Sequence, residues 1–214
     1  MKHIFVIGSG GFSKQVIEIV EEINSSSNRQ KYLIKGIIDD DLKKKGKNVL
    51  GYEIVGDTDY LKKISSINEI NAVIAIGNGQ IRKRIADKLL NVNWVNLIHP
   101  KAVISKHGNI GIGNIVCAGA IINPMYSIGN HININIGCTV GHDVNLNDFS
   151  TLNPGCNISG NVNIEMVSMI GTGSCIIQGI RVGQYSIVGA GAVVIKDVDP
   201  FSLYVGVPAT KVNK

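Results

Sequence analysis

The chain has 214 residues, of which 44% are hydrophobic and 17% are charged, and its formal net charge is +5. This length and composition predict one or two globular domains, and no apolar run of about 18 residues is present to span a membrane. Nucleic-acid binding is not expected, because much of the net charge lies in the loop-like run Lys43, Lys44, Lys45 and Lys47, and no face interleaves basic with aromatic residues.

Strands and helices alternate through the first part of the chain. The hydrophobic patterning predicts strands at 2–7, 33–38, 72–76 and 94–98, helices at 12–23, 58–64 and 80–90, and a short extended segment at 52–55 within a loop. This order is typical of a small α/β domain with a parallel sheet. The dipeptide His99-Pro100 marks the junction with the next domain, so the predicted domains are residues 1–98 and 99–214.

Glycine and polar residues follow three of these predicted strands. A Gly-Ser-Gly-Gly turn at residues 8–11 leads from strand to helix, Asp39 and Asp40 follow the second strand, and Gly77-Asn78 follows the third. A glycine-rich turn before a helix presents backbone N–H groups to phosphate, and carboxylates at the next strand end contact ribose or base. The sequence therefore predicts a nucleotide-type site at this edge. The alternative is a plain tight turn, because Ser13 stands where a third glycine is usual.

A six-residue rhythm dominates the second part of the chain. Every sixth residue from Ile104 to Val194 is aliphatic, which gives sixteen repeats, and the residue four places later is usually small or apolar. An α-helix has a period near 3.6 and a lone strand a period of 2, whereas a hexapeptide period indicates a parallel β-helix. Three repeats close one triangular coil of eighteen residues, so we expect about five coils with the aliphatic residues at the inner corners.

The cysteines indicate buried packing and a reducing compartment. The chain has Cys117, Cys138, Cys156 and Cys175 but no CxxC pair, which argues against a zinc ribbon or a thioredoxin site. Cys138 and Cys156 are one coil apart and should stack at about 4.8 Å; parallel Cβ vectors favour two small buried fillers over a disulfide. The amino terminus has no signal-peptide pattern, and we expect a cytoplasmic protein.

The pair His142-Asp143 is the strongest catalytic candidate in the repeat region. It follows Val140 at an outward or turn position. Histidine is the natural base near pH 7, and a neighbouring carboxylate fixes its tautomer. Gly160 lies one coil above His142, where an open backbone N–H fits an oxyanion site. The alternative is a surface pair without function.

No metal site is predicted. His107 and His131 are the other histidines of the repeat region, and we expect them at the surface or in subunit contacts. A zinc site would need histidines that lie close together on one face. His131 and His142 are eleven residues apart and do not line up on the coil, which argues against a metal-dependent hydratase.

The whole chain resembles the bacterial sugar acyltransferases that join a left-handed β-helix to an N-terminal nucleotide-sugar domain, the sialic acid O-acetyltransferase and UDP-4-amino-sugar N-acetyltransferase group. Several motifs spread over nearly the whole length carry the resemblance. They are Ile7-Gly8-Ser9-Gly10-Gly11, Ile38-Asp39-Asp40, Ala75-Ile76-Gly77-Asn78, Asn96-Leu97-Ile98-His99-Pro100, the stretch from Asn135 to His142-Asp143, and Gly206-Val207-Pro208-Ala209.

The resemblance implies a Rossmann-like α/β domain that binds a nucleotide sugar, followed by an all-β left-handed parallel β-helix with acyltransferase activity. It implies a homotrimer with active sites between neighbouring β-helices, acetyl-CoA as donor and no metal. By resemblance, His142 is the general base, Asp143 orients it, and Gly160 supplies the oxyanion N–H. The implied CoA contacts are Gly160, Thr172, Ala190 and Pro208, and the implied nucleotide-sugar contacts are Gly10, Gly11, Asp39, Asp40 and Asn78.

Two positions depart from the pattern of the family. Many relatives have a second histidine nine residues after the base, where this chain has Thr151, and their tail has a cation directly after Pro-Ala, where Thr210 precedes Lys211. The function that we expect is N-acetylation of a nucleotide-linked 4-amino sugar in bacterial glycan biosynthesis. The alternatives are O-acetylation of a sugar hydroxyl, as in the sialic acid type, and a non-catalytic nucleotide-sugar-binding protein.

Overall fold

The computed structural model describes residues 1–27 and 29–212 of the chain. The chain forms two compact units, Met1–Pro100 and Lys101–Lys214. The first is an α/β unit and the second is a parallel β-helix, which confirms the predicted fold class. Among the residues described, no helix has both the length and the apolar character needed to cross a membrane.

The first unit is built on a mostly parallel sheet. Its elements are β1 (Lys2–Ile7), α1 (Gly11–Ser25), β2 (Tyr32–Ile38), a 3-10 helix (Leu42–Lys44), β3 (Asn48–Val49), β4 (Tyr52–Gly56), α2 (Thr58–Ser65), β5 (Ile70–Ile74), α3 (Gly79–Lys88), β6 (Val92–Trp94) and β7 (Leu97–Ile98). The strand order is β3-β4-β2-β1-β5-β6, and only β3 and β4 pair antiparallel. The carboxyl ends of β1, β2 and β5 therefore meet at one edge of the sheet.

Burial explains why these segments form the unit. In the central strand β1, the side chains of Ile4, Val6 and Ile7 are at most 1% exposed, as expected for a parallel strand that is covered on both faces. Helix α1 buries Val16 and Ile17 completely. The buried residues of α1 recur every three or four positions, which is the helical period. One side of the helix therefore faces the core.

Several element bounds differ from the prediction, and β5 spans Ile70–Ile74 where a strand at 72–76 was predicted. The predicted strand at 94–98 is divided into β6 and β7, because the ladder with β5 ends where the Val95 N–H donates to the Ala72 carbonyl at 3.1 Å. Helix α3 ends at Lys88, before the predicted end at Leu90. Leu90 is 83% exposed, so no buried contact extends the helix to it.

The second unit is a three-sided β-helix. Its strands are β8 (Val103–Ile104), β9 (Gly108–Ile110), β10 (Ile115–Val116), β11 (Ile121–Ile122), β12 (Tyr126–Ile128), β13 (Asn133–Ile134), β14 (Thr139–Val140), β15 (Asn145–Leu146), β16 (Thr151–Leu152), β17 (Asn157–Ile158), β18 (Asn163–Ile164), β19 (Met169–Ile170), β20 (Cys175–Ile176), β21 (Arg181–Val182), β22 (Ile187–Val188), β23 (Val193–Val194), β24 (Leu203–Val205) and β25 (Thr210–Lys211). The first face contains β10, β13, β16, β19, β22 and β24, with β25 antiparallel on β24. The second face contains β8, β11, β14, β17, β20 and β23, and the third contains β9, β12, β15, β18 and β21.

Burial confirms the predicted hexapeptide core from Val116 onward, whereas Ile104 and Ile110 of the first coil are only partly buried. From Val116 to Val194, every sixth residue is at most 3% exposed, and the small residues beside them, such as Cys138 and Cys156, are also buried. Parallel pairing joins residues eighteen apart, for example Thr139 with Asn157. The side chains therefore stack in columns along the coil axis.

Truncation of one core side chain should destabilise the β-helix. Leu152 is fully buried, so Leu152→Ala should lower the free energy of unfolding by about 2–5 kcal/mol, measured by urea denaturation. Ile112 is 52% exposed, and the control Ile112→Ala should change stability by only about 0.5 kcal/mol. Equal effects of the two variants would contradict the assignment of Leu152 to the core.

Candidate functional site

Two loops of the first unit touch at the carboxyl edge of the sheet. Gly8 has a φ of +108°, and a Cβ atom there would lie 2.8 Å from Ile76 Cγ1 and 3.0 Å from the Ala75 carbonyl oxygen. The turn after β1 and the loop after β5 therefore approach as closely as a glycine permits. The structure brings together the three strand ends that the sequence singled out.

The Asp39 carboxylate links the ends of two strands at this edge of the sheet. Its Oδ2 atom accepts hydrogen bonds from the Ser9 N–H at 3.0 Å and from the Ser9 hydroxyl, and its Oδ1 accepts from the Asp41 N–H at 3.0 Å. The Lys44 ammonium lies 3.3 Å from Oδ2. Burial alone would raise the pKa of this carboxyl, but the bonds from Ser9 and Asp41 and the charge of Lys44 outweigh it and lower the pKa below its ordinary value. Asp39 thus ties β2 to the glycine turn.

Asp40 and Asn78 both hold the starts of helices. The Asp40 Oδ1 atom accepts from the Thr58 N–H at 2.8 Å, at the beginning of α2. The Asn78 Oδ1 atom accepts from the Ile81 N–H at 3.1 Å and caps α3. Each side chain satisfies a backbone donor that the helix leaves without an intrahelical partner.

A pocket of about 160 Å³ opens at this edge. It is lined by Ile7, Gly8, Ile38, Asp39, Asp40, Thr58, Ile76, Ile81, Arg84 and Ile85. Typical ligand pockets have volumes of about 300–1,000 Å³, so this one holds a fragment the size of a single ring system. Apolar walls with a few polar groups are the usual construction of such sites. The spacing of Ile81 and Ile85 on α3 signals a buried helix side, but nothing in the sequence assigned Thr58 or Arg84 to the pocket.

Gly10 and Gly11 form an open helix start. Gly10 is the N-cap of the 15-residue helix α1 and makes no side-chain cap bond. A Cβ atom at either glycine would meet no heavy atom within 4 Å. Ser13 is fully buried, and its hydroxyl donates to the Gly10 carbonyl at 2.6 Å, which explains a serine at the third position of the fingerprint. The exposed start of a helix attracts phosphate through its N–H groups and its dipole.

In the second unit, His142 and Asp143 form a hydrogen-bonded pair. His142 Nδ1 lies 2.7 Å from Asp143 Oδ2, and the two side chains are about half exposed. Asp143 adopts a left-handed φ of 57°, which aspartate tolerates better than most residues. The Asp143 N–H donates to the Pro124 carbonyl in the coil below, at 3.2 Å, and the His142 carbonyl accepts from the Asn161 N–H in the coil above, at 2.9 Å. The pair is therefore fixed from both sides.

Gly160 lies directly above the His142 ring. A Cβ atom at Gly160 would lie 2.6 Å from both Cε1 and Nε2 of His142, so the ring occupies the space that this glycine leaves. A Cβ atom at Gly141 would likewise lie 2.6 Å from the Gly160 nitrogen. Two glycines thus bring the Nε2 edge of the imidazole and one backbone N–H close together.

Thr172, Ala190 and Pro208 lie along a different edge. Thr172 and Ala190 are in consecutive coils between the first and second faces, where the Gly191 N–H donates to the Thr172 carbonyl at 2.8 Å. Pro208 joins this edge because the next residue, Ala209, donates its N–H to the Val193 carbonyl at 2.8 Å. His142 lies between the second and third faces. Within one chain, the structure does not bring these three residues to the His142 pair.

Three further candidate residues are buried or paired with other side chains of this chain. The His131 ring stacks on Phe149 with centroids 5.2 Å apart, and His131 is only 4% exposed, so the predicted surface position is wrong for this residue. Thr151 is buried on the first face. The Lys211 ammonium forms an ion pair with Asp199 at 2.9 Å. Over residues 1–27 and 29–212, no group of three or more histidine, cysteine or acidic side chains is arranged to hold a metal ion.

The cysteines behave as packing residues. All four are free thiols, and Cys138 and Cys156 are fully buried. Both sulfur atoms approach the Asn153 carbonyl, at 3.1 Å for Cys138 and 2.8 Å for Cys156. This confirms the predicted role of two small inward fillers in one column.

Known structures are similar to this chain over nearly its whole length. Residues 3–89 match the PglD N-terminal domain. The perosamine N-acetyltransferase of Caulobacter crescentus, solved with CoA and GDP-perosamine, has 31% identity and a TM-score of 0.91 over 100% of this chain and 98% of that chain. The acetyltransferase domain of PglB from Neisseria gonorrhoeae, solved with acetyl coenzyme A, has 31% identity and a TM-score of 0.86, with 98% of each chain covered.

A curated relative gives a shorter match. The UDP-N-acetylbacillosamine N-acetyltransferase of Bacillus subtilis is 34% identical over 122 residues, which are 55% of this chain and 52% of that protein. The chain thus spans about half or less of the length of the curated relatives it matches. The full-length structural matches, the matched N-terminal domain and the β-helix together establish that the chain belongs to the family of sugar N-acetyltransferases of the left-handed β-helix type.

Proposed function

We propose that this protein transfers the acetyl group of acetyl-CoA to the amino group of a nucleotide-linked 4-amino sugar. The observation that carries the proposal is the His142–Asp143 pair, 2.7 Å apart, with its ring against Gly160. The similar perosamine N-acetyltransferase was crystallised with CoA and GDP-perosamine in a variant with one histidine replaced by asparagine. Both lines of support point to acyl transfer assisted by a histidine.

The chemistry follows from the positions of these groups. Asp143 accepts a hydrogen bond from the Nδ1–H of His142, which leaves Nε2 unprotonated and free to act as the base. The sugar amine attacks the thioester carbonyl while Nε2 takes its proton, and the Gly160 N–H stabilises the oxyanion of the tetrahedral intermediate. The intermediate collapses with loss of CoA thiolate, which takes the proton from the imidazolium. Because the thioester is already activated, positioning and proton removal can supply much of the rate, and the step needs no metal.

In our proposal the first unit binds the nucleotide. The pocket between Ile76, Ile81 and Ile85 accepts the base, with Asp40 as an acceptor at its wall, and the open helix start at Gly10 and Gly11 receives the diphosphate. Asp39 supports the site indirectly, because its carboxylate is engaged by Ser9, Asp41 and Lys44. We propose the same indirect role for the Asn78 cap.

We further propose that Thr172, Ala190 and Pro208 hold CoA and that the enzyme is a homotrimer. These residues and His142 lie on opposite edges of the second face. A coenzyme held along the Thr172 edge of one copy reaches the His142 edge of a neighbouring copy when β-helices pack side by side. The free thiols and the use of acetyl-CoA support a cytoplasmic location.

Removal of the proposed base should abolish most of the activity. His142→Ala should lower turnover by about two to four orders of magnitude, measured as thiol release from acetyl-CoA with the amino-sugar nucleotide present. CoA should still bind, because Thr172, Ala190 and Pro208 lie on another edge and the backbone of Gly160 is unchanged. The exposed His3 in the first unit provides a matched control, and His3→Ala should keep the wild-type rate. Near-normal turnover of His142→Ala would overturn the assignment.

A methyl group at Gly160 tests the arrangement of the ring. In Gly160→Ala, the Cβ atom would occupy a point 2.6 Å from Nε2 of His142, so the ring must move away from the reacting carbonyl. Turnover should fall by about two orders of magnitude, while far-ultraviolet circular dichroism stays that of the wild type. A folded variant with full turnover would show that the contact is not used in the reaction.

Ligand-dependent stability identifies the acceptor class. A ligand at about a hundred times its Kd adds about 2.7 kcal/mol of stability, which a thermal shift assay detects. Acetyl-CoA and one of a panel of UDP-, GDP- and dTDP-linked 4-amino sugars should each stabilise the protein. Stabilisation by acetyl-CoA alone would instead support a free sugar or a hydroxyl acceptor, and a response to a nucleotide sugar alone would support a binding protein.

A further inference from the structure

Arg82 is a buried cation next to the pocket of the first unit, although it does not line that pocket. Its side chain is 1% exposed, on helix α3. The guanidinium Nη1 donates to the Ile76 carbonyl at 2.9 Å and to the Gly77 carbonyl at 2.7 Å. Arg82 therefore binds the backbone of the loop that leads from β5 into α3 through two hydrogen bonds.

This loop carries one wall of the pocket. Ile76 contributes its side chain to the lining, and its Cγ1 atom fits into the space where Gly8 lacks a Cβ. The carbonyl that Arg82 holds belongs to the same residue. A shift of the loop would displace the Ile76 side chain from the pocket and from the glycine turn together.

The stability of the fold alone does not explain why an arginine is buried at this position. Burial lowers the pKa of the Arg82 guanidinium to about 9, because the charged form loses its hydration. Charge-assisted hydrogen bonds to carbonyl oxygens offset that loss, but a well-packed apolar side chain often gives equal or greater stability than a buried charge. What an apolar residue cannot do is fix two successive carbonyl groups.

We propose that Arg82 is a positioning residue for nucleotide binding, which acts by holding Ile76 against Gly8. The inference rests on the proposed function of the first unit. It assigns Arg82 no contact with the substrate and no part in the acetyl transfer in the second unit. The expected signature is a defect in nucleotide affinity with unchanged chemistry.

Arg82→Met, which keeps length but removes the donors, tests the proposal. The KM for the amino-sugar nucleotide and the Kd for the matching nucleoside diphosphate, measured by calorimetry, should both rise about tenfold or more, while kcat and the KM for acetyl-CoA stay within about twofold. Arg82→Lys, which can still donate to one carbonyl, should recover part of the affinity. Lys83→Met is the control, since Lys83 is a partly exposed neighbour on the same helix that pairs with Asp87; it should bind like the wild type.

A double-mutant cycle tests the route through Ile76. If Arg82 acts through Ile76, the double variant with Arg82→Met and Ile76→Ala should bind no more weakly than Ile76→Ala alone, whereas independent effects would add. Additive losses, or unchanged affinity in folded Arg82→Met, overturn the inference. If Arg82→Met does not fold, Arg82→Lys decides, because wild-type affinity in that variant would also overturn it. Failure of the wild type to bind any nucleotide would refute the proposed function itself.

Discussion

The stacking of residues eighteen apart is the constraint on which the β-helix unit depends. Hydrogen bonds between successive coils, such as those from Asp143 to Pro124 and from Asn161 to His142, set every outward residue above a defined partner. The contact between His142 and Gly160 is a product of this register, because a shift by one residue would turn the two away from each other. The rigid column supplies the preorganisation that the proposed proton-transfer site needs.

The first unit achieves order by a different means. Its strand ends are joined by side chains, with Asp39 linking β2 to the glycine turn and Arg82 holding the loop after β5. Each of these groups is charged and largely removed from water, and each is compensated by several donors or acceptors. In our proposal, the two units thus combine a binding site assembled from loops with a reaction site assembled from backbone register. Loops suit a pocket that must fit one particular ligand, while a stacked backbone suits a fixed reaction geometry.

The sequence predicted more of the β-helix unit than of the α/β unit. A six-residue period has one structural solution, so the β-helix, its core and the pairing of His142 with Gly160 followed from counting. The same counting shows why Thr172 lies on another edge, since it is thirty residues after His142 and not a multiple of eighteen. In the first unit, the meeting of the strand ends was predictable. The distinct surroundings of Asp39 and Asp40 were not, because successive residues at a strand end point to opposite sides, and packing decides which one faces the ligand. The burial of Arg82 also depends on how α3 lies over the sheet, which local patterns do not encode.

The eighteen-residue coil also limits how the length of such a chain can change. An insertion of eighteen residues adds one complete coil and leaves every column in line. The residues above the insertion move along the coil axis by the height of one coil, about 4.8 Å. An insertion of six residues between His142 and Gly160 would instead rotate all later residues by one face, and the histidine would lie under an unrelated turn. Viable length variants of this unit should therefore differ by whole coils at its ends, whereas loop insertions that bulge outward leave the register unchanged.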